Sequence, residues 1–131
     1  MELVLEAEDG RRLTLTNLGG SAADLRYSAR LTTETAEAGV GVWEYDTRFP
    51  QFIRDLADAW KGFEGVKQYA STEGHLSLDC EHDGLGTVIC RVTVGQVWEP
   101  EWSLSAVLRF GAGAHLERLA AESEAFFAGR A

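Results

Sequence analysis

Residues 76–94 read LSLDCEHDGLGTVICRVTV, and their pattern decides the fold. Apolar residues occupy every second position on both sides of a central turn, as in strands that bury one face. These positions are Leu76, Leu78, Cys80, Val88, Cys90, Val92 and Val94. The turn sequence His82–Gly86 predicts an antiparallel hairpin. The apolar faces match when the loop has an odd length, such as Asp83–Leu85. This register sets Cys80 opposite Val88 and diagonal to Cys90.

Four strands are predicted upstream of this hairpin and one downstream. The upstream segments are residues 2–7, 12–16, 24–35 and 40–45. Asp9–Gly10, between the first two segments, is a frequent hairpin dipeptide. The downstream strand runs from Trp102 to Phe110, with Leu104, Ala106 and Leu108 on its inward face. The chain therefore carries two groups of antiparallel strands.

Each group of strands is followed by an amphipathic helix. The first helix has its apolar stripe at Phe49, Phe52, Ile53, Leu56, Ala57 and Trp60. Asp46 or Thr47 is expected to cap its start, Pro50 suits its first turn, and Gly62 ends it. The second helix buries Leu116, Leu119, Ala120, Ser123 and Phe127. Helical spacing of this kind requires a partner surface, which the inward face of the strands provides.

The predicted order of elements is ββββ-α-βββ-α, and the fold class is α+β. We expect a curved antiparallel sheet of about seven strands with both amphipathic helices packed on one face. The chain has 131 residues, of which 45% are hydrophobic, and residues 1–131 are expected to form a single domain.

Charge and targeting signals restrict the partners. The net charge is −9, from 12 basic and 21 acidic side chains. Such a chain repels nucleic acid and anionic membranes and attracts basic proteins, and the alternative is that its acidity serves only to keep it in solution. Neither a signal peptide nor a membrane-spanning run is recognised, so a cytoplasmic location is expected. Cys80 and Cys90 are then expected to be reduced and packed in the core, although only their distance decides whether they can bridge.

The middle of the chain resembles an uncharacterised family of small bacterial proteins. The resembling segments are Trp60–Gly65, Tyr69–Gly74 and Cys80–Gly84, and the match is strongest from Phe52 to Val94. That family usually carries tryptophan at the positions of Phe63 and Tyr69. This chain departs from the family there but keeps an aromatic side chain at both positions. The resemblance implies a compact domain of unknown function and brings no activity, cofactor or site.

Alternate acidic residues around the hairpin form the first candidate binding surface. Glu73, Asp79 and Glu81 share one parity, so a continuous strand places them on one face. Same-face residues are about 6.6 Å apart for each two steps along a strand, which puts His75 roughly 13 Å from Asp79. One strand cannot close such residues around zinc, and no metal site is predicted. The alternative is a solvated face that Arg91 partly balances.

The segment Val97–Trp102 is the second candidate, because two tryptophans flank two carboxylates in an expected loop. Its candidate binding residues are Trp98, Glu99, Glu101 and Trp102. Tryptophan is enriched at interface hot spots, and loops on rigid scaffolds often carry function. The alternative is that Trp102 faces inward while Trp98 covers the edge of the core.

No catalytic constellation or cofactor motif is recognised, because the chain has neither a nucleophile elbow nor a phosphate loop. Three functions are therefore considered. The first is a non-enzymatic protein-binding module, in its specific form an immunity- or antitoxin-like inhibitor of a basic partner. The second is a small-molecule-binding domain or enzyme with a cavity between sheet and helices, lined by Tyr27, Trp43, Trp60 and Phe110. The third is a secretion-chaperone or adaptor-like dimer.

Overall fold

The computed structural model describes residues 1–95 and 101–129 as eight strands and two helices. The first unit contains β1 (Glu2–Glu6), β2 (Arg12–Ser21), β3 (Asp24–Thr32), β4 (Glu37–Glu44) and α1 (Phe49–Asp58). The second unit contains β5 (Lys67–Ala70), β6 (Leu76–His82), β7 (Thr87–Gly95), β8 (Ser103–Gly111) and α2 (Ala114–Ala128). Both units have the order ββββα.

The strands form two antiparallel sheets, ordered β1-β2-β3-β4 and β5-β6-β7-β8. The α+β class, the antiparallel strands and the two helices are confirmed, whereas the prediction of one sheet of about seven strands is wrong. The additional strand β5 has only four residues, too few to display a hydrophobic period. Strands β4 and β5, which α1 separates along the chain, do not pair, and each lies at the edge of its own sheet.

The two units share one hydrophobic core. Strand β3 contacts β7 and β8, and β4 contacts β7. The helices pack against each other, and each contacts the first strand of the opposite unit, α1 on β5 and α2 on β1. Away from the core, the backbone amide of Glu8 donates to the carbonyl of Arg109 over 3.1 Å. The units therefore complete each other's packing.

Aromatic rings at the centre join both units. The ring of Phe49 on α1 lies 5.3 Å from that of Tyr69 and 5.8 Å from that of Phe127 on α2. Tyr27 on β3 meets Phe127 edge to face at 5.5 Å. Such pairs add specific geometry to the burial of a large apolar area.

The hairpin between β6 and β7 has a different register from the predicted one. Cys80 lies opposite Cys90, not Val88, and His82 lies opposite Val88. The parity of the buried residues is as expected, but the loop is two residues longer on the β7 side. Asp83 closes this longer loop by accepting hydrogen bonds from the amides of Leu85 at 2.7 Å and Thr87 at 3.0 Å.

The register also changes the state of the cysteines. Their Cα atoms are 4.1 Å apart in the directly opposed pair, and the two side chains form a disulfide. Both residues are fully buried, as predicted. The expectation of reduced thiols is therefore wrong for this structure, because a shift of two residues converts a diagonal pair into a facing one.

Helix α1 begins and ends differently from the prediction. Arg48 occupies the N-cap position without a side-chain hydrogen bond, so neither Asp46 nor Thr47 caps the helix. The Asp46 carboxylate instead accepts from Nε of Arg48 over 2.7 Å. The helix ends at Asp58, and Trp60 is 51% exposed although its spacing predicts burial. The turn at Gly62, whose amide donates to the carbonyl of Ala59, takes the chain away from the helical path.

Candidate functional site

An open cleft lies beside β4, the last strand of the first sheet. We call it the edge cleft; its volume is about 570 Å³, and it is lined by Arg26, Tyr27, Gly41, Val42, Trp43 and Glu73. Gly41 leaves space, since a side chain there would meet no other atom within 4 Å. The cleft combines residues of both units, because Glu73 belongs to the turn between β5 and β6.

The outer wall of the edge cleft is a fixed cross-strand pair. Arg26 lies opposite Trp43, and both side chains donate to the carboxylate of Asp24. The indole Nε1 of Trp43 is 2.7 Å from Asp24 Oδ1, and the Arg26 Nε is 3.3 Å from it. These donors, the indole first, hold the pKa of Asp24 below its usual value. The positive charge of Arg26 is consequently balanced within the wall.

The opposite wall is the turn between β5 and β6. The amide of Gly74 donates to the carbonyl of Ser71 over 2.9 Å, and the Ser71 hydroxyl accepts from the amide of Leu76 over 3.1 Å. Gly74 has a φ of 80°, which suits glycine. Glu73 is exposed at the tip of this turn and makes no ion pair with the described residues. The cleft therefore presents one uncompensated negative charge.

A buried carboxylate lies behind Tyr27, the inner residue of the edge cleft. Glu44 is fully buried and accepts hydrogen bonds from the hydroxyl of Tyr27, at 2.9 Å, and from that of Tyr69. The Nη2 of Arg48 lies 3.4 Å from Glu44 Oε1, the oxygen that also accepts from Tyr69, and donates to the carbonyl of Ala70 over 3.1 Å. Burial raises the pKa of Glu44, and the two tyrosine donors oppose that rise.

The chemistry of this buried cluster is structural. Burial, the first cause, raises the pKa of both Tyr27 and Tyr69, so each hydroxyl keeps its proton and donates it to Glu44. Both carboxylate oxygens already have donors, which leaves little hydrogen-bonding capacity for a ligand. Because Tyr69 comes from the second unit, Glu44 joins the two units and holds Tyr27 in place beneath the cleft.

The structure brings three of the predicted binding residues to one end of the second sheet. The amide of Gly95 donates to the carbonyl of His75 over 3.0 Å, and Gly95 pairs with Ser103 at the start of β8. Glu101 and Trp102 immediately precede that strand, so they lie at the same sheet end as Glu73. Trp102 is 47% exposed, which contradicts its alternative placement in the core. Trp98 and Glu99 lie outside the described residues.

We call Glu73, Glu101 and Trp102 the sheet-end patch; Asp79 and Glu81 lie elsewhere. Strand β6 begins only at Leu76, so the prediction that Glu73 shares a strand face with these two residues is wrong. The turn at Gly74 interrupts the strand. Asp79 lies opposite Arg91 and Glu81 opposite Ile89, on the outer face of the sheet. Arg91 therefore lies across from Asp79, as expected for a solvated face whose negative charge it partly balances. The two side chains form no ion pair.

No group of three or more histidine, cysteine or acidic side chains within residues 1–95 and 101–129 is arranged to hold a metal ion. In the same part of the chain, neither helix has the length and apolar character to cross a membrane.

Comparison with known proteins decides the family. The profile of a family of unknown function, DUF6228, matches residues 4–130. The chain belongs to DUF6228. This confirms the expected membership in a family of unknown function and extends the match across nearly the whole DUF6228 chain. No curated protein and no solved structure matches it.

Sequence reasoning missed the buried cluster of this DUF6228 protein. One signal was present, because Glu44 has the same parity as Val40 and Val42 and so falls on the inward face of β4. A carboxylate at an inward position predicts a buried partner. The partner Tyr69 is on β5, the strand that the sequence pattern did not reveal, so the pairing was not accessible from periodicity.

Proposed function

We propose that this DUF6228 protein is a non-enzymatic protein-binding module for a basic partner, and specifically an immunity- or antitoxin-like inhibitor of a basic enzyme. The observation that carries the proposal is the sheet-end patch, where an exposed tryptophan and two carboxylates lie at the same end of the second sheet. Glu73 and Glu101 make no ion pair with any described residue, so their charge is available to a partner.

The charge of the chain supports a basic partner. The net charge is −9, and the arginines that form ion pairs are already matched by carboxylates of the chain itself. Excess negative charge accelerates the encounter with a positive protein, and this acceleration decreases as salt is added. A tryptophan at the centre of such a contact supplies apolar area that the carboxylates alone lack. We also propose a cytoplasmic location, in which the Cys80–Cys90 disulfide has to persist against cellular reductants because both residues are fully buried.

Co-expression tests the inhibitor form. The product of each gene adjacent to that of the DUF6228 protein is expressed with and without it, and cell survival is compared. We expect one basic product to be toxic alone and harmless in co-expression. If none of the products binds the purified chain and none is neutralised, the inhibitor form is wrong.

A matched pair of tryptophan variants tests the site. Trp102 is 47% exposed in the sheet-end patch, and Trp60 is 51% exposed near the end of α1. We expect Trp102→Ala to weaken binding of the basic product by about tenfold or more, the effect of an interface anchor. Trp60→Ala should leave the affinity nearly unchanged. Equal effects of the two substitutions would place the contact elsewhere.

Small-molecule binding is the second candidate, and the edge cleft favours it. Tyr27 and Trp43 line that cleft of about 570 Å³, and Trp60 lines another of about 610 Å³. Ligand sites start at about 300 Å³. Phe110 lines neither, since it is buried against His115, and both clefts open on the surface. Saturable chemical shift changes at Tyr27 and Trp43 in a metabolite screen would favour this function over the first.

The oligomeric state distinguishes the third candidate, a chaperone- or adaptor-like dimer, from the other two. Sedimentation equilibrium separates a monomer from a dimer of this 14.4 kDa chain. A monomeric mass counts against the dimeric chaperone and is compatible with both other functions.

A further inference from the structure

We propose that strand β4 receives an extended segment of the basic partner, which adds to the free edge of the first sheet in the edge cleft. The inference rests on the proposed function and states how the partner is held. Main-chain hydrogen bonds along β4 would supply affinity, and charge at the cleft would select a basic segment.

The first argument is the regularity of the β4 edge. All eight residues of β4 pair with β3 in one unbroken register, from Leu25–Glu44 to Thr32–Glu37. Among the described residues no strand pairs with its other side. Between its terminal carboxylates Glu37 and Glu44, β4 has none of the proline, lysine, bulge or charge that usually protects an edge. Its length and regularity make it a template for another strand.

The second argument is the space beside the strand. The edge cleft borders β4 at Gly41, Val42 and Trp43, and a Cβ built at Gly41 would meet no other atom within 4 Å. A backbone can approach glycine more closely than any other residue. The cleft therefore leaves Gly41–Trp43 of β4 open to the approach of another backbone.

The third argument is charge, and it selects the occupant. Arg26 is balanced by Asp24 and Arg30 by Glu37, whereas Glu73 is unpaired among the described residues. The uncompensated charge of the cleft is therefore negative. Pairing of two β4 edges would unite two chains of charge −9 each, which mutual repulsion opposes. A basic segment of another protein fits both the edge and the charge.

The experiment uses a synthetic peptide with the sequence Arg-Val-Thr-Val-Arg-Val-Thr, capped at both ends, and the full chain. Binding is followed by amide NMR titration and hydrogen exchange. We expect alternate amides within Glu37–Glu44 to gain protection from exchange. Two control peptides separate the contributions: one is N-methylated at every second residue and keeps its charge, and the other carries glutamate in place of arginine. Each should bind about tenfold more weakly or worse.

Two substitutions at one position provide a matched pair. A side chain at Gly41 meets no atom within 4 Å, so Gly41→Arg and Gly41→Glu are both sterically accommodated. Both side chains fill the same space, so the comparison isolates charge, and Gly41→Arg should bind the basic peptide about fivefold or more weakly than Gly41→Glu. Thermal unfolding of both variants verifies that they fold.

Several outcomes would overturn the inference. These are no binding of the basic peptide, equal binding of the N-methylated peptide, or protection outside β4. Protection of β4 before any peptide is added, together with a dimeric mass, would assign the edge to a second copy of the chain. A basic partner that binds the sheet-end patch without protecting β4 would overturn this inference alone, and the proposed function would stand.

Discussion

Removing the hydroxyl of Tyr69 tests the buried connection between the two units. In Tyr69→Phe the ring keeps its contacts with Phe49 at 5.3 Å and Phe52 at 5.7 Å, so little packing is lost. The fully buried Glu44 loses one hydrogen-bond donor and keeps Tyr27 and Arg48. A hydrogen bond to a charged group contributes about 1.5–3 kcal/mol, so the free energy of unfolding should decrease by about 2 kcal/mol.

Urea denaturation at neutral pH, followed by tryptophan fluorescence, measures this change. Tyr45→Phe is the control, because Tyr45 is 58% exposed and its hydroxyl makes no hydrogen bond with the described residues. Its free energy of unfolding should change by less than about 0.5 kcal/mol. A double-mutant cycle with Glu44→Gln should give a coupling energy of about 0.5–3 kcal/mol. Equal stability of the two tyrosine variants, or zero coupling, would refute the assignment of Glu44 as the joint between the units.

Two further predictions concern titration and the hairpin loop. Burial raises the pKa of Glu44 in the folded state. The protonated side chain therefore contributes its full stabilisation below the pKa of the unfolded state, and this contribution is lost as pH rises through the pKa of the folded state. The stability of Glu44→Gln relative to wild type should therefore increase from about pH 4 to pH 7, and a flat difference in urea titrations would contradict this. Asp83→Ala removes the Oδ1 acceptor of the Leu85 and Thr87 amides and should lower the free energy of unfolding measured by urea denaturation at neutral pH. Those amides lower the pKa of Asp83, so the carboxylate stabilises the fold above its ordinary pKa, and this stabilisation is lost as pH falls through the lowered pKa of the folded state. The difference in stability between Asp83→Ala and wild type should therefore disappear in acid. A difference that persists there would contradict the assignment.

Local sequence patterns predicted the faces of the strands better than their partners. Leu78, Cys80 and Val92 are buried as their parity requires, because alternation depends only on neighbouring residues. The register of Cys80 depends on how Asp83 closes its loop, and the exposure of Trp60 depends on where α1 ends. The hydrogen bonds that close the hairpin loop and end the helix set these two features, and the period of the apolar residues does not encode them.

The candidate site was predictable only in part, for a related reason. Glu73, Glu101 and Trp102 stood out by residue type, and the structure places them at one sheet end. Their separation from Asp79 and Glu81 follows from the turn at Gly74, and the edge cleft requires β4 and the β5–β6 turn to meet. Contacts between distant segments of this kind arise from tertiary packing, which a single sequence does not reveal.

The most direct test of the central claim is the affinity of the basic partner for a charge-removing variant, Glu73→Gln/Glu101→Gln. The control, Glu2→Gln/Glu64→Gln, removes the same charge at exposed residues that make no ion pair with the described chain. At about 50 mM salt we predict a loss of about tenfold or more for the first variant and less than about threefold for the control, with the difference shrinking near 300 mM. Equal losses for the two variants would contradict a binding site at the sheet-end patch.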